Sequence, residues 1–266
     1  MIIPVLMTAS IDPKGMANAL FPPAVRESQY VEVINAYIDR FSHLEGEWQF
    51  VFVENSGWPP NRICSKIQLP DHVKFEYIAL DPALFDVSRG KGYNEMRMID
   101  LASRESRLIQ TQKHFFKVTG RYVFENLYQL LTEVDKVAGE NLQFYADVKD
   151  HKLFDILHLP MNGHWGECRY YAVSLDFWDK NMRGMYQFLD DKGWSVESFF
   201  LELVRKVKQQ QGVYIRFKTQ PRINGYGGFT PAKGVLMGSN HYNSFGNTVK
   251  DNIRQVLRWV APYWWC

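Results

Sequence analysis

Asp86-Val-Ser-Arg-Gly-Lys-Gly-Tyr-Asn-Glu95, a helical segment, and then His114-Phe-Phe-Lys-Val-Thr-Gly-Arg-Tyr122 form the stretch whose reading decides the fold. A glycine-bearing basic turn opens a helix, and the helix returns the chain to an apolar strand. That strand ends in a second turn carrying glycine and arginine. In an open α/β sheet both turns fall at the carboxyl edge, where ligands bind and helix N-termini favour anions. Arg89, Lys91 and Gly92 in the first turn, with Thr119 and Arg121 in the second, are therefore candidate anion-binding residues. Arginine suits bidentate phosphate contact, and small residues let phosphate approach the backbone. The first turn is neither a Walker loop nor a dinucleotide fingerprint.

Upstream, residues 2–7 form a short apolar run with β-branched side chains, which predicts a buried first strand. Tyr30, Val33, Ile34, Tyr37, Ile38 and Phe41 recur at helical spacing and predict an amphipathic helix over 27–42. Strands are expected at 48–53, 74–80 and 114–118, with a helix from Asn94 between the last two. This alternation predicts an α/β fold, a Rossmann-type, mostly parallel sheet with helices on both faces. The downstream half is less regular. Strands are expected at 142–148, 169–175 and 213–217, helices at 177–189 and 196–209, and a glycine-rich loop at 220–228. Ser195 is placed to cap the second of these helices, with Glu197 in its first turn, where a carboxylate complements the helix dipole. No repeat or low-complexity linker separates the halves. The expected organisation is 1–134, then 135–245 as the second half of the same domain, then a C-terminal helix and aromatic tail over 246–266.

In that last segment Val249, Ile253, Val256, Leu257 and Val260 form one stripe, and Lys250, Arg254 and Arg258 another. Two readings stand. A basic amphipathic helix followed by Trp and Tyr suits a membrane headgroup layer; the same helix can equally pack its Val/Ile/Leu stripe on the domain.

Composition narrows the classes. Hydrophobic residues at 46% and charged residues at 23% are those of a globular chain. A net charge of +2 excludes a general nucleic-acid binder. Three widely spaced cysteines without Cys-x-x-Cys predict free thiols in a reducing compartment. The first residues lack a signal-peptide pattern, and no apolar run approaches the ~20 residues of a membrane span. A cytoplasmic protein is expected, with the C-terminal helix as its one candidate contact to the inner membrane face. The histidines show no metal-ligand spacing, and no Gly-x-Ser-x-Gly elbow supports a hydrolase.

Thr8-Ala-Ser10, Val53-Glu-Asn-Ser56, Gly90-Lys-Gly-Tyr-Asn-Glu95 and Lys117-Val-Thr-Gly-Arg-Tyr122 together resemble a group of bacterial surface-polysaccharide glycosyltransferases of GT-A-like fold. The resemblance covers the first half well. The second half matches loosely, mainly in Gly193-Trp-Ser-Val-Glu197 and Gly225-Tyr-Gly-Gly228. It implies a nucleotide-sugar donor as substrate, with Thr8, Ser10, Glu54 and Asn55 near the nucleoside and Lys91 and Arg121 near the diphosphate. It also implies an acceptor-binding second half, with contacts at Tyr122, Gly227 and Gly228 and a glycan or lipid-linked glycan as acceptor. An acidic residue at a helix start would then serve the acceptor hydroxyl, which points to Glu197, with Asp190 and Asp191 as substitutes.

One departure matters. GT-A enzymes commonly hold a divalent metal with Asp-x-Asp after the fourth strand, and this sequence contains no Asp-x-Asp. Thr119-Gly-Arg-Tyr122 stands in that place, so no cofactor is expected, and Arg121 with Lys91 would neutralise the diphosphate instead. Asp147, at the end of an expected strand, is the residual metal candidate. Two rival readings share the fold: a sugar-nucleotide nucleotidyltransferase, and a non-catalytic nucleotide- or glycan-binding subunit of an assembly complex.

Overall fold

Side chains alternate along a strand, so a strand buried on both faces carries two apolar sets. A computed structural model describes residues 2–15, 21–151, 156, 163–190, 192–226, 236–237 and 245–260. In it β1 (Val5–Ala9), β2 (Trp48–Glu54), β3 (Val73–Ala79) and β4 (His114–Thr119) pair in parallel. Met7, Phe50, Phe52 and Phe116 belong to one core, and Leu6, Val51, Val53 and Phe115 to the other. The first core is closed by α1 (Pro23–Ser42) and α5 (Leu127–Val137). The second is closed by α3 (Gly90–Glu105), α4 (Arg107–Gln112), α6 (Leu175–Asn181) and α7 (Val196–Val207). A short α2 (Pro60–Cys64) follows β2. Each fully buried Phe or Leu of this kind contributes roughly 1.5–3 kcal/mol.

The sheet continues into the second half of the chain. β6 (Phe144–Asp150), β7 (His164–Ser174) and β8 (Val213–Tyr214) complete a seven-stranded order β3-β2-β1-β4-β7-β6-β8. Only β7 runs against its neighbours. The fold is thus mixed α/β with a mostly parallel sheet and helices on both faces. A small antiparallel sheet is made by β5 (Tyr122–Phe124), β9 (Ile223–Tyr226) and β10 (Leu236–Met237), in the order β10-β9-β5.

Several expected elements are redrawn. The helix expected at 177–189 stops at Asn181, because Gly184 takes a left-handed φ of 75° and a 3-10 turn, Met185–Phe188, follows. The strand expected to reach 217 ends at Tyr214, and the loop expected at 220–228 contains β9, paired to β5. The helix from Asn94 begins four residues earlier and is broken at Ser106, whose hydroxyl caps α4. The helix α5 has a legible stripe, Leu127, Leu130, Leu131 and Val134, that the sequence reading passed over.

The C-terminal helix, for which two readings stood, is α8 (Phe245–Val260). Most of its apolar stripe is outward: Val249, Ile253, Val256 and Val260 are exposed, with Trp259 beside them, and Leu257 is half-buried. Its inward contacts include Gln255, which accepts from Gln220 N at 2.8 Å and donates to the Lys218 carbonyl at 2.6 Å, and Arg258, 1% exposed, whose guanidinium clasps Asp147 at 2.7 and 3.2 Å and donates to the Phe217 carbonyl at 2.6 Å. Asp147 is fully buried and also accepts from Tyr170 Oη at 2.6 Å and Phe217 N at 2.8 Å. Burial pushes its carboxyl up, and the Arg258 charge outweighs that and holds it below the usual range. Asp147 is therefore no metal ligand; its oxygens are taken by an arginine, a tyrosine and a backbone amide.

Removing one member of a buried pair strands the other charge, at about 3–5 kcal/mol. Arg258→Ala should lose that much in urea unfolding, while the double change Asp147→Asn with Arg258→Met should lose less. A single variant within about 1 kcal/mol of the parent would show that Asp147 finds water.

Candidate functional site

Parallel pairing of β1 with β4 sets Thr8 beside Thr119 at the carboxyl edge of the sheet. There the chain opens a cleft of about 110 Å3 that brings together Thr8, Ser10, Asn55, Lys91, Thr119 and Arg121, all expected at the ligand from the sequence. Among the lining residues not foreseen as ligand contacts are Arg26, Tyr30 and Glu95.

The floor is a charge network. Lys117, in the middle of β4, is fully buried. Its ammonium reaches Glu95 Oε1 at 2.7 Å and donates to Thr119 Oγ1 at 3.0 Å and the Cys168 carbonyl at 2.8 Å. Thr8 Oγ1 donates to the same Glu95 oxygen at 2.8 Å. Burial pushes the Glu95 carboxyl up, but Lys117 and these hydrogen bonds prevail and hold it below the usual carboxylate range. Glu95 is thus an anion in the working pH range. It stands one helical turn after Lys91, on the face of α3 that Asn94 and Met98 also present to the cleft. Asn94 fixes the start of that helix, donating to the Asp86 and Gly90 carbonyls at 2.7 and 2.6 Å.

The wall is cationic. Arg121 is 8% exposed, and among the described residues its Nη1 has no hydrogen-bond partner. Two glycines bracket it. A Cβ on Gly120 would stand 2.6 Å from the Thr8 carbonyl oxygen, and Gly120 N donates to that oxygen at 2.9 Å. A Cβ on Gly225, whose φ is 135°, would stand 2.4 Å from the Arg121 carbonyl oxygen. Only glycine fits either place. Arg26, 5% exposed, donates through Nε to the Ser10 carbonyl at 2.7 Å and through Nη2 to the same oxygen. Burial presses its pKa down, and the Arg121 charge beside it presses further. Two buried guanidinium groups that repel each other make a site for an anion.

Other expected residues stand apart from the cleft. Glu54 is fully buried beneath it, accepting from the amides of Ile11, Ser56 and Trp58 at 2.9 Å each. It organises the two loops and is not a ligand contact. Arg89 is turned away as well, donating to the Gln187 and Leu189 carbonyls at 2.6 and 3.0 Å and lying over the Tyr93 ring. Gly92 serves packing, for a Cβ there would be 3.4 Å from Val196 Cβ. Tyr122 lies in β5, its carbonyl accepting from Tyr37 Oη at 2.9 Å. Asp190 closes a turn, its Oδ1 accepting from Lys192 N at 2.5 Å. Asp191, Gly227 and Gly228 lie outside the described residues.

Glu197 comes from the second half and is not among the residues that line the cleft. Ser195 caps α7, its hydroxyl accepting from Ser198 N at 3.3 Å, so Glu197 is left for other contacts. Its Oε1 faces Cys168 Sγ at 3.7 Å, and the Cys168 carbonyl is the one that binds Lys117. Burial and the Glu197 charge push the Cys168 thiol well above its ordinary value, so it stays protonated.

The sequence held faint signals for the residues it did not yield. Arg26 falls at i−4 from Tyr30 on the buried stripe of α1, and Lys117 interrupts an otherwise apolar strand. Either is a charge where the pattern demands a hydrophobe.

The end of β4 does not suit a hard divalent cation, which takes carboxylate and carbonyl oxygens. It offers a threonine hydroxyl, an arginine, and one carboxylate, Glu95, whose Oε1 is already held by Lys117. Among the described residues no group of three or more His, Cys, Asp or Glu side chains is placed to hold a metal ion.

No protein-family model matches the chain, and no curated protein matches it. Solved structures similar to it include the bifunctional glycosyltransferase WbbM, at 12% identity and a TM-score of 0.49 over 82% of this chain. The chain spans 39% of the length of that protein. Mouse xyloside xylosyltransferase 1 is similar at 13% identity and a TM-score of 0.44, over 80% of this chain and 84% of that one. The galactosyltransferase LgtC, in complex with donor and acceptor sugar analogues, is similar at 10% identity and a TM-score of 0.40, over 79% and 68%.

Inorganic pyrophosphate should raise the melting temperature of the protein, by filling the space between Arg26 and Arg121. Arg121→Met should abolish that shift without destabilising the ligand-free protein, since it removes one of two repelling charges. An unchanged pyrophosphate shift in the variant would take Arg121 out of the anion site.

Proposed function

We propose that this chain is a nucleotide-sugar-dependent glycosyltransferase that holds the donor diphosphate with arginine and lysine side chains in place of a metal. The observation that carries the reading is the Arg121 guanidinium, buried at the carboxyl end of β4 with an unpartnered nitrogen beside a second buried arginine. Breaking the bond between the sugar and the diphosphate places negative charge on the leaving oxygens. Fixed cations in a site of low dielectric stabilise that charge without reorganisation. Arg26, Arg121 and Lys91 line the place where the charge develops.

Glu197 is the proton acceptor in this reading. As the acceptor hydroxyl forms its bond to the anomeric carbon, its proton passes to the Glu197 carboxylate and the sugar–diphosphate bond breaks. Support comes from its place on the second-half side of the same edge, linked to the cleft floor through Cys168 and Lys117. The acceptor is a surface glycan or its lipid-linked precursor, a reading that rests on the sequence resemblance.

The outward apolar edge of α8 supports association with a membrane surface, at the cytoplasmic face where a lipid-linked acceptor would be met. Val249, Ile253, Val256, Trp259 and Val260 offer a continuous stripe, and among the described residues no helix is long and apolar enough to cross a membrane. A helix held by Arg258 with its apolar edge outward has the orientation of an interfacial helix.

Nucleoside diphosphate sugars, tried in turn, should give one donor that binds and turns over equally well with and without chelator. Glu197→Gln should keep binding and lose turnover by at least a hundredfold, as loss of a general base does. Binding without turnover in the parent would favour the non-catalytic subunit, and rescue of chelated enzyme by Mn2+ would overturn the metal-free reading. Separately, Ile253→Glu should release the protein from anionic liposomes without lowering its melting temperature. Retained binding would remove α8 from the membrane contact.

A further inference from the structure

The three protein donors to the Glu95 carboxylate all converge on one oxygen. Lys117 Nζ, Thr8 Oγ1 and Thr119 Oγ1 reach Oε1 at 2.7, 2.8 and 3.4 Å. Among the described residues Oε2 has no protein partner, and the side chain, 23% exposed, lines the cleft. A carboxylate tied down through one oxygen and bare on the other is fixed in direction and, being ionised, can only accept hydrogen bonds. Its neighbours in the cleft, Arg26, Arg121 and Lys91, are cations. A phosphate drawn to them is repelled by Glu95, so the bare oxygen must face a neutral donor on the same ligand. On a phosphorylated sugar that donor is a hydroxyl.

We propose that Glu95 reads a sugar hydroxyl of the bound ligand: Oε2 accepts its hydrogen bond while the phosphate of the same ligand sits on Arg26 and Arg121. The cleft then selects hydroxylated phosphoesters against their deoxy counterparts, and Lys117 is a positioning residue that holds the reader in place. This rests on the nucleotide-sugar reading of the same cleft. The hydroxyl belongs either to the ribose of the donor or to the sugar it carries, and both present the same chemistry to Oε2. A site built around a buried acceptor rejects an analogue that lacks the donor, because the acceptor is then left unpaired.

The test is direct titration of the parent protein with ribonucleoside diphosphates, their 2′-deoxy and 3′-deoxy forms, and the corresponding nucleotide sugars with one sugar hydroxyl removed. One hydroxyl should matter by roughly tenfold or more in affinity, the effect of a charge-assisted hydrogen bond. Loss in the 2′- or 3′-deoxy arm assigns the ribose; loss only in the deoxy-sugar arm assigns the transferred sugar. In Glu95→Gln that preference should shrink to about threefold or less, since a neutral acceptor discriminates less, while binding of inorganic pyrophosphate persists. The double change Glu95→Gln with Lys117→Met leaves no unpaired buried charge and should give the same result where the single variant fails to fold. Equal binding of every deoxy form by the parent overturns the proposal and leaves the nucleotide-sugar reading standing. So does an undiminished preference in a folded Glu95 variant. Absence of binding by any nucleotide overturns both.

Discussion

An ammonium group in the middle of a sheet has no water to fall back on, and much of this structure follows from how Lys117 is satisfied. Its three partners come from three elements: Glu95 from α3, Thr119 from its own strand, and the Cys168 carbonyl from β7. Thr8 of β1 joins through Glu95. One buried cation therefore ties the parallel half of the sheet to its antiparallel strand and to the helix that opens at the basic turn. Were Lys117 unpaired, burial would cost several kcal/mol; paired in this way, it fixes the cleft floor to a single arrangement. The same pairing directs Glu95, since three donors on one oxygen leave only one orientation for the other.

Two buried carboxylates elsewhere among the described residues are balanced within the chain. Asp147 meets Arg258, and Glu27, 3% exposed, gathers Trp58 Nε1 at 2.7 Å and Arg62 Nε at 2.6 Å together with the Lys66 ammonium. Against that pattern the cleft wall is an exception. Arg26 and Arg121 stand close enough to repel, and Arg26 donates to the Ser10 carbonyl, with no carboxylate salt-bridged to either among the described residues. Such an imbalance raises the free energy of the empty protein, and an arriving anion relieves it. This is how a binding site differs from a structural ion pair. The structural pair is complete within the chain, and the site is completed by its ligand.

The sheet, its parallel strands and the two turns at its edge were legible because they rest on local periodicity. Strands 48–53 and 114–118 extend by one residue each in the structure, because a buried apolar run bounded by turn residues has few other readings. The cleft was half legible. Lys91, Thr119 and Arg121 could be placed at one edge from chain order, and Thr8, Ser10 and Asn55 from the family resemblance. The direction a side chain takes at that edge could not. Arg89 and Lys91 are two residues apart in one basic turn, yet Arg89 turns to the Gln187 carbonyl, nearly a hundred positions away, and Lys91 stays at the cleft. Glu54 was misplaced for the same reason, because its partners are amides of a loop whose path the sequence does not disclose. The C-terminal helix inverts the usual rule that the apolar stripe faces in. Asp147, buried on β6, needs a counter-charge, and Arg258 is the group that reaches it. Satisfying a buried carboxylate outweighs burying a few valines, at about 0.8 kcal/mol per methylene.

Two glycines decide how the second half meets the first. A Cβ on Gly166 of β7 would stand 2.4 Å from Phe200 Cβ and 2.6 Å from the Glu197 carbonyl oxygen, so α7 lies against the strand at a depth only glycine permits. At the other end of the same contact, Gly92 of α3 takes Val196 against its backbone. The first turn of α7 is therefore wedged between the strand that carries Cys168 and the helix that carries Lys91 and Glu95. The depth of α7 against the sheet is set by backbone contact at Gly166, a steric limit stiffer than a hydrogen bond, while Val196 rests on Gly92 at ordinary van der Waals distance. In that first turn the Glu197 carboxylate meets the Cys168 thiol at 3.7 Å, and the Cys168 carbonyl accepts from Lys117 at 2.8 Å, so one residue of β7 joins the second half of the chain to the cleft floor.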